Sequence, residues 1–160
     1  MGSLNEFPWR TRLLLMVYPW RRVDPVPWSP LSKPLSQAQV ALCSSAGFTT
    51  AGQEPFDQSV RGGDSSFRLI PDSVSAAVLH SSHRSESFDH SGLERDPNLG
   101  MPLDRLHELA AGGRIGSAAP EHLSIMGSIT APGRLIRDTA PRAADLLAQA
   151  GVDLALFVPV

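Results

Sequence analysis

Residues Thr139 to Val160 read TAPRAADLLAQAGVDLALFVPV, and this stretch decides the fold class. Thr139 is suited to N-cap a helix with Pro141 just inside it, because proline's fixed φ and missing N–H are tolerated in a first turn. Ala140 to Ala150 is rich in alanine and leucine, and Gly151 stops it. Val152 to Val160, with Leu154, Leu156, Phe157 and Val158, then reads as a buried strand. Upstream, His122 to Ile129 reads as another strand. Strand, helix, strand at this spacing is a βαβ signature, and it predicts an α/β domain: a three-layer, mostly parallel sheet with covering helices.

The rest of the chain extends this pattern. Met101 to Ala111 reads as a helix, with Pro102 in its first turn, Leu103, Leu106, Leu109 and Ala110 on one face, and Gly112-Gly113 as its stop. Val40-Ala41-Leu42-Cys43 is a short apolar run ending in Ser44-Ser45-Ala46-Gly47, the pattern of a buried parallel strand running into a glycine turn. Residues 52–73 are polar and turn-rich around Gly62-Gly63-Asp64, and Val74 to Leu79 is a candidate second strand. His80 to Gly100 is a histidine- and serine-rich loop without helical or strand period. There is no internal repeat.

Residues 1–37 differ in kind from residues 38–160. They hold Pro8, Pro19, Pro25, Pro27, Pro30 and Pro34 together with Trp9, Trp20 and Trp28. This density of proline argues against regular helix or central strand, while tryptophan is uncommon in free disordered arms. The expectation is an extended Pro/Trp-rich N-terminal arm lying on the domain or on a partner.

The 160 residues carry 42% apolar and 19% charged side chains, the balance of one globular domain. With 14 basic and 16 acidic side chains the formal net charge is −2. No strong field therefore favours nucleic acid or an anionic membrane. The run Leu13-Leu14-Leu15-Met16-Val17 is far shorter than the roughly 20 residues that span a bilayer. Flanked by arginines and lacking a small-residue cleavage site, it does not read as a secretory signal. One cysteine, Cys43, excludes an internal disulfide, and no CxxC pair is present. These features predict a cytoplasmic protein with no metal site of its own and no partner in nucleic acid or membrane. An oligomer is allowed.

Three constellations are candidates for chemistry. Asp64 and Arg68, in Gly63-Asp64-Ser65-Ser66-Phe67-Arg68, are suited to clamp a carboxylate-bearing ligand, because a guanidinium binds a carboxylate bidentately; the plainer reading is a surface turn with an ion pair. His83 with Asp89 and His90 places a carboxylate beside imidazoles, suited to a base, an acid or a metal ligand; a solvated loop is the alternative. His122 opens a strand edge in a fold whose ligands gather at sheet edges, or is a satisfied structural histidine. Cys43, on a buried strand, reads as an inert small hydrophobe. No Gly-x-Gly-x-x-Gly, P-loop or Gly-x-Ser-x-Gly occurs.

The order of the motifs carries more than any one of them. Pro25-Val26-Pro27-Trp28-Ser29-Pro30-Leu31, Val40-Ala41-Leu42 into Ala46-Gly47, Pro55-Phe56-Asp57 and Gly63-Asp64-Ser65-Ser66-Phe67-Arg68-Leu69-Ile70-Pro71 are followed by Phe88-Asp89-His90-Ser91 and Asp96-Pro97-Asn98. Then come Pro102-Leu103-Asp104-Arg105-Leu106, Gly113-Arg114-Ile115-Gly116, His122-Leu123-Ser124-Ile125-Met126-Gly127 and Gly151 through Pro159. In this order, from about Pro25 to Val160, the chain resembles selenoprotein B of the glycine, sarcosine, betaine and D-proline reductases, with a compact spacing more similar to the D-proline branch. It departs from the family around Arg84 to Ser87, where a second histidine is expected close before Asp89.

The resemblance implies reductive cleavage of a carbon–nitrogen bond in a small amine or amino acid, with a thioredoxin-like or other dithiol donor. It implies a pyruvoyl group on a partner subunit and no cofactor in this chain. It also implies a selenocysteine, or a cysteine, directly after the strand ending at Val160, in a U-x-x-C or C-x-x-C turn that opens a helix. Selenocysteine is encoded by UGA, so the expectation is a longer protein whose C-terminal part is missing here, inactive as given. His83, Asp89, His90 and His122 are expected to shape the site, and Asp64 and Arg68 to orient the ligand. Two competing readings are a metal-assisted hydrolase using the His/Asp loop and a non-catalytic α/β binding module.

Overall fold

A computed structural model describes residues 5, 7–18, 22–85 and 90–160. These fall into two units, Met1–Pro30 and Leu31–Val160. In the first, helix α1 spans Trp9–Val17. This departs from the expectation of an arm without regular helix. The nine residues after Pro8 contain no proline, so their amides are free to form the i→i−4 ladder that proline blocks elsewhere, and the first such bond runs from Arg12 N–H to the Pro8 carbonyl at 3.0 Å. From residue 22 to residue 34 no helix or strand forms.

The second unit is built on strand β1 (Gln39–Ser44). Two short strands follow, β2 (Phe48–Thr49) and, after β3 (Phe67–Pro71), β4 (His80–Ser81). Helices α2 (Ser91–Arg95) and α3 (Leu103–Ala111) lead to β5 (Ser117–Ala118) and β6 (Glu121–Ile125). Helix α4 (Ala140–Gln149) and strand β7 (Leu154–Val158) complete the order. In the main sheet β5, β6 and β7 all pair with β1 in parallel, while β3 pairs antiparallel with β6 at one edge. Strands β2 and β4 form a separate antiparallel pair. The βαβ unit is therefore β6, α4, β7, with the two strands on opposite sides of β1.

Alternation along β1 creates two unlike faces. Val40 and Leu42 join Ile70, Phe48, Leu93, Met101, Leu103 and Leu106 in the buried core beneath α3. On the other face Cys43, Leu123, Ile125, Ala155 and Phe157 look across a cavity of about 270 Å³ to Leu135, Ala143, Ala144 and Leu147 of the α4 region. Helix, sheet and helix make the expected three layers. The sheet is mostly parallel, as expected.

Several local expectations need correction. Residues 67–71, within a stretch read as turns, form β3. Its apolar alternation is masked because Arg68 is spent on hydrogen bonds to the carbonyls of Glu54 and Pro55. Val74 to Leu79 is not a strand but holds a 3₁₀ turn at Ala76–Val78, capped by Ser75 Oγ accepting from Ala77 N–H at 3.3 Å; such local bonds compete with a sheet ladder. Thr139 does not cap α4, because it has helical φ and ψ and ends a π-helical turn at Leu135–Thr139. Pro141 has no N–H for the Arg137 carbonyl, so the wider register just before it absorbs the break. Strand β7 forms where expected but is not buried: Leu156 is 49% and Phe157 69% exposed. Among the described residues no helix is long and apolar enough to cross a membrane.

The start of β7 is nonetheless pinned to β1. Asp153 N–H donates to the Gln39 carbonyl at 3.0 Å, its carboxylate accepts from Gln39 N–H at 2.8 Å, and it pairs with Lys33 at 2.9 Å. The contrast between strands is measurable. Leu42→Ala should cost about 2–5 kcal/mol by leaving a cavity, whereas Leu156→Ala should change stability by no more than about 0.5 kcal/mol. Urea unfolding midpoints of the two variants check this.

Candidate functional site

The parallel strands β1, β6 and β7 end at one edge, the position where ligands bind in open α/β sheets. Backbone hydrogen bonds weave the strand ends together. Ser45 N–H donates to the Val158 carbonyl at 3.1 Å, Gly127 N–H to the Ser45 carbonyl at 2.7 Å, and Gly47 N–H to the Ile125 carbonyl at 3.0 Å. Ser45 Oγ accepts from Val160 N–H at 2.9 Å, holding the residues after β7 against the end of β1.

His83 reaches this edge from the loop after β4. The absence of a side chain at Gly127 makes room for it, since a Cβ there would lie 2.5 Å from His83 Nε2. His83 Nδ1 accepts from Ser85 N–H at 3.1 Å, which places the proton of the neutral ring on Nε2. Burial, and secondarily the charge of His90, push its pKa below the ordinary histidine value. The two rings lie 6.1 Å apart between centroids, and His90 Nε2 is 2.7 Å from the Ser85 carbonyl. The structure thus brings His83 and His90 together. Asp89 lies outside the described residues.

Asp64 sits in the glycine turn that neighbours this loop. Gln58 Nε2 donates to the Ser82 carbonyl at 3.3 Å and Arg84 Nη1 to the Val60 carbonyl at 2.9 Å, tying the two loops. Burial alone would raise the Asp64 pKa, but hydrogen bonds from the Ser66 side chain and amide and from the Asp57 amide, with the charge of Arg68, hold it below the usual carboxylate range. Arg68 is engaged within the protein. Its guanidinium lies 4.3 Å from the Phe56 ring centre and bonds Glu54, Pro55 and Ser66, so it steadies Asp64 through Ser66 Oγ, which donates to Asp64 Oδ1 at 2.7 Å.

His122 is elsewhere. It lies at the opposite end of β6 from Ile125 and is fully buried. Nδ1 accepts from Leu42 N–H at 3.1 Å and Nε2 meets Asp72 Oδ1 at 3.0 Å. His107 Nε2 reaches the same oxygen at 2.7 Å. Sequence reasoning missed Asp72 and His107: they stand 35 residues apart on elements with no shared motif, so no local signal joins them. Burial lowers the His122 pKa, outweighing the pull of Asp72 in the other direction.

Cys43, on the α4 side of β1, is buried, and burial raises its pKa to about 11. Ser124 Oγ, on β6, is buried without a hydrogen-bond partner among the described residues. Among those residues no group of three His, Cys, Asp or Glu side chains is placed to hold a metal ion.

Comparison with known proteins gives two relatives. The chain is 32% identical over 136 residues to the D-proline reductase subunit gamma of Acetoanaerobium sticklandii, covering 84% of this chain and 54% of that protein. It is 32% identical over 123 residues to the sarcosine reductase complex component B subunit beta of Peptoclostridium acidaminophilum, covering 72% of this chain and 27% of that protein. The chain therefore spans about half the length of one curated relative and about a quarter of the other. No family model matches it. No solved structure matches it. Neither relative favours the hydrolase or the non-catalytic module.

The histidine placement carries a pH prediction. A histidine with a depressed folded pKa contributes stability that is complete above the unfolded value near 6.5 and is lost as pH falls below it, because the unfolded state then binds more protons. His83 and His122 both act in this sense. Urea midpoints should therefore fall as pH is lowered from 7 through 6 to 5, and the fall should be shallower in His122→Gln, which keeps an acceptor and a donor but cannot charge. An equal slope in the variant would assign the effect to other groups.

Proposed function

Because the chain belongs to the selenoprotein B-like family of amino-acid reductase subunits, we propose that it is part of a subunit that reductively cleaves a carbon–nitrogen bond in a small amine or amino acid. The observation that carries the reading is the likeness to the D-proline reductase gamma subunit over 84% of the chain. The geometry of the strand ends supports it. A selenocysteine or cysteine encoded after Val160 would emerge beside Ser45, which hydrogen-bonds Val160 through both its N–H and its carbonyl, and at the edge that His83 also reaches.

A pyruvoyl group on a partner subunit would supply electron withdrawal at the substrate nitrogen. A dithiol donor closes the balance: the Cα–N bond breaks, carbon gains a hydrogen, nitrogen leaves protonated and the dithiol becomes a disulfide. This chain's own residues bind and position. His83, neutral and packed against Gly127, holds its loop at this edge. His90 lies beside it, its ring centre 6.1 Å away, and His122 supports β6 from the opposite end of that strand. Asp64, ionised and steadied by Arg68 through Ser66, orients the ligand. An anionic selenolate or thiolate suits the attacking role, since a free thiol with pKa of about 8.5 is mostly protonated at neutral pH. The setting is the cytoplasm.

The DNA beyond codon 160 tests this reading directly. An in-frame UGA or Cys codon followed by an open frame encoding a nearby cysteine and an amphipathic helix is the expected result. A different stop with no continuing frame would overturn it. In the extended protein assembled with its pyruvoyl partner, replacing the encoded nucleophile by Ala should abolish dithiol-dependent reduction while circular dichroism stays unchanged.

A further inference from the structure

A cleft of about 620 Å³ opens between the glycine turn at residues 60–65 and the segment that enters the helix at 131–137. Its two walls are fixed to each other by backbone. Ala131 N–H donates to the Gly62 carbonyl at 3.0 Å. Gly62 and Gly63 have φ of 90° and 99°, which L side chains rarely adopt. Neither has space for one: a Cβ would lie 2.6 Å from Ala131 Cβ at Gly62 and 2.9 Å from Ile129 Cα at Gly63. The shape of the cleft is therefore set by glycine main chain packed closely on Ala131 and Ile129.

The charges around it are unevenly satisfied. Arg61, Arg134, Arg137 and Asp64 line the cleft. Arg137 is committed to Asp138 through two bonds of 2.9 Å. Among the described residues, no carboxylate or other acceptor is set against the guanidinium of Arg61 or of Arg134. Asp64 Oδ1 accepts from Ser66 N–H and Ser66 Oγ, while Oδ2, among the described residues, accepts only from Asp57 N–H at 3.0 Å. A carboxylate oxygen accepts about two hydrogen bonds, so Oδ2 keeps one accepting position.

We propose that this cleft binds a small amino-acid zwitterion, its carboxylate on Arg61 and Arg134 and its protonated nitrogen on Asp64 Oδ2. Two guanidiniums and a fixed carboxylate in one cavity match a ligand with both signs of charge. A phosphate dianion would satisfy the arginines but meet the Asp64 carboxylate with like charge. An amine without a carboxylate would leave both arginines unanswered. The proposal deepens the reductase reading, on which it rests for the identification of the ligand as that reaction's substrate; it transfers the carboxylate-binding part from Arg68, which is internally engaged, to Arg61 and Arg134.

The test is a ¹H–¹⁵N NMR titration of the 160-residue chain at constant ionic strength, reading the amides of Gly62, Gly63, Ser65 and Gly133. The probes are D-proline, sarcosine and glycine, with D-prolinamide lacking the carboxylate, cyclopentanecarboxylate lacking the nitrogen, and inorganic phosphate. At least one zwitterion should shift these amides and bind about tenfold more tightly than D-prolinamide, cyclopentanecarboxylate or phosphate. Arg61→Gln and Arg134→Gln, both at exposed positions, should each weaken that binding about tenfold while resonances of the α3 core keep their positions. Unmoved cleft amides, equal binding of D-prolinamide or phosphate, or full binding by both arginine variants would overturn the proposal. The two readings fail separately. An assembled complex that reduces amines while the cleft amides stay silent removes the cleft and keeps the reductase, whereas a responsive cleft in a complex that reduces none removes the reductase and keeps the binding site.

Discussion

The hydrogen bond from Leu42 N–H to His122 Nδ1, 3.1 Å long and wholly buried, is the interaction on which the sheet depends. Strand β1 pairs with β5 at Gln39 and Val40 and with β6 at Cys43 and Ser44. Between these ladders the neighbouring chain passes through Ala119-Pro120, and the Pro120 carbonyl is taken by the Asp72 N–H and not by β1. The Leu42 amide would be orphaned in the middle of the core, at a cost of about 1–3 kcal/mol. The imidazole of His122 takes the place of the missing strand partner. Its other nitrogen meets Asp72, whose own N–H donates to the Pro120 carbonyl at 2.9 Å. One histidine thus repairs the break in β5–β6 and fastens the turn after β3 to it.

This repair divides the labour between the two ends of the sheet. At the β6 start, Asp72, His107 and His122 form a closed set of side chains that satisfy one another and a backbone amide. Near the start of β1, Asp153 and Lys33 do the same for the approach to β7. At the opposite edge the chain leaves polar groups facing a seam between loops: His83 against Gly127, Ser45 on Val160, and Asp64 in its glycine turn. A sheet whose far end is locked can hold such loops in place without packing them from above. The arrangement of a stiff base and a polar rim follows from where the strands stop and from the break between β5 and β6.

Legibility in the sequence followed the range of the interactions. The βαβ unit, helix α3 and strand β1 were readable because periodicity and Gly or Pro punctuation are local signals. The β3 strand was not, because it is five residues long and Arg68 and Pro71 break up its apolar pattern. The burial of β7 was misread for a related reason: Leu154, Leu156 and Phe157 are apolar, but apolarity reports what a strand tolerates against it and not how many neighbours it has in this chain. Among the candidate site residues, His83 and His90 do come together, while His122 was visible only as a histidine beside a strand. Its task required Pro120, Leu42 and Asp72 to be seen at once, and these are distant in sequence.

The position of Cys43 shows what the interior of this sheet does to an ionisable side chain. Cys43 is in mid-sheet, walled by Leu123, Ile125 and Phe157, and burial lifts its pKa to about 11. At neutral pH that leaves about one thiolate in ten thousand, too few for a nucleophile. The cause is geometric: a side chain at an inward position of β1 has only apolar atoms and peptide groups already paired in the ladder around it, so nothing stabilises an anion. Past Ser44 and Val158 the ladder is finished, backbone N–H groups and the Ser45 hydroxyl tie the strand ends to the loops, and the histidine loop comes within reach.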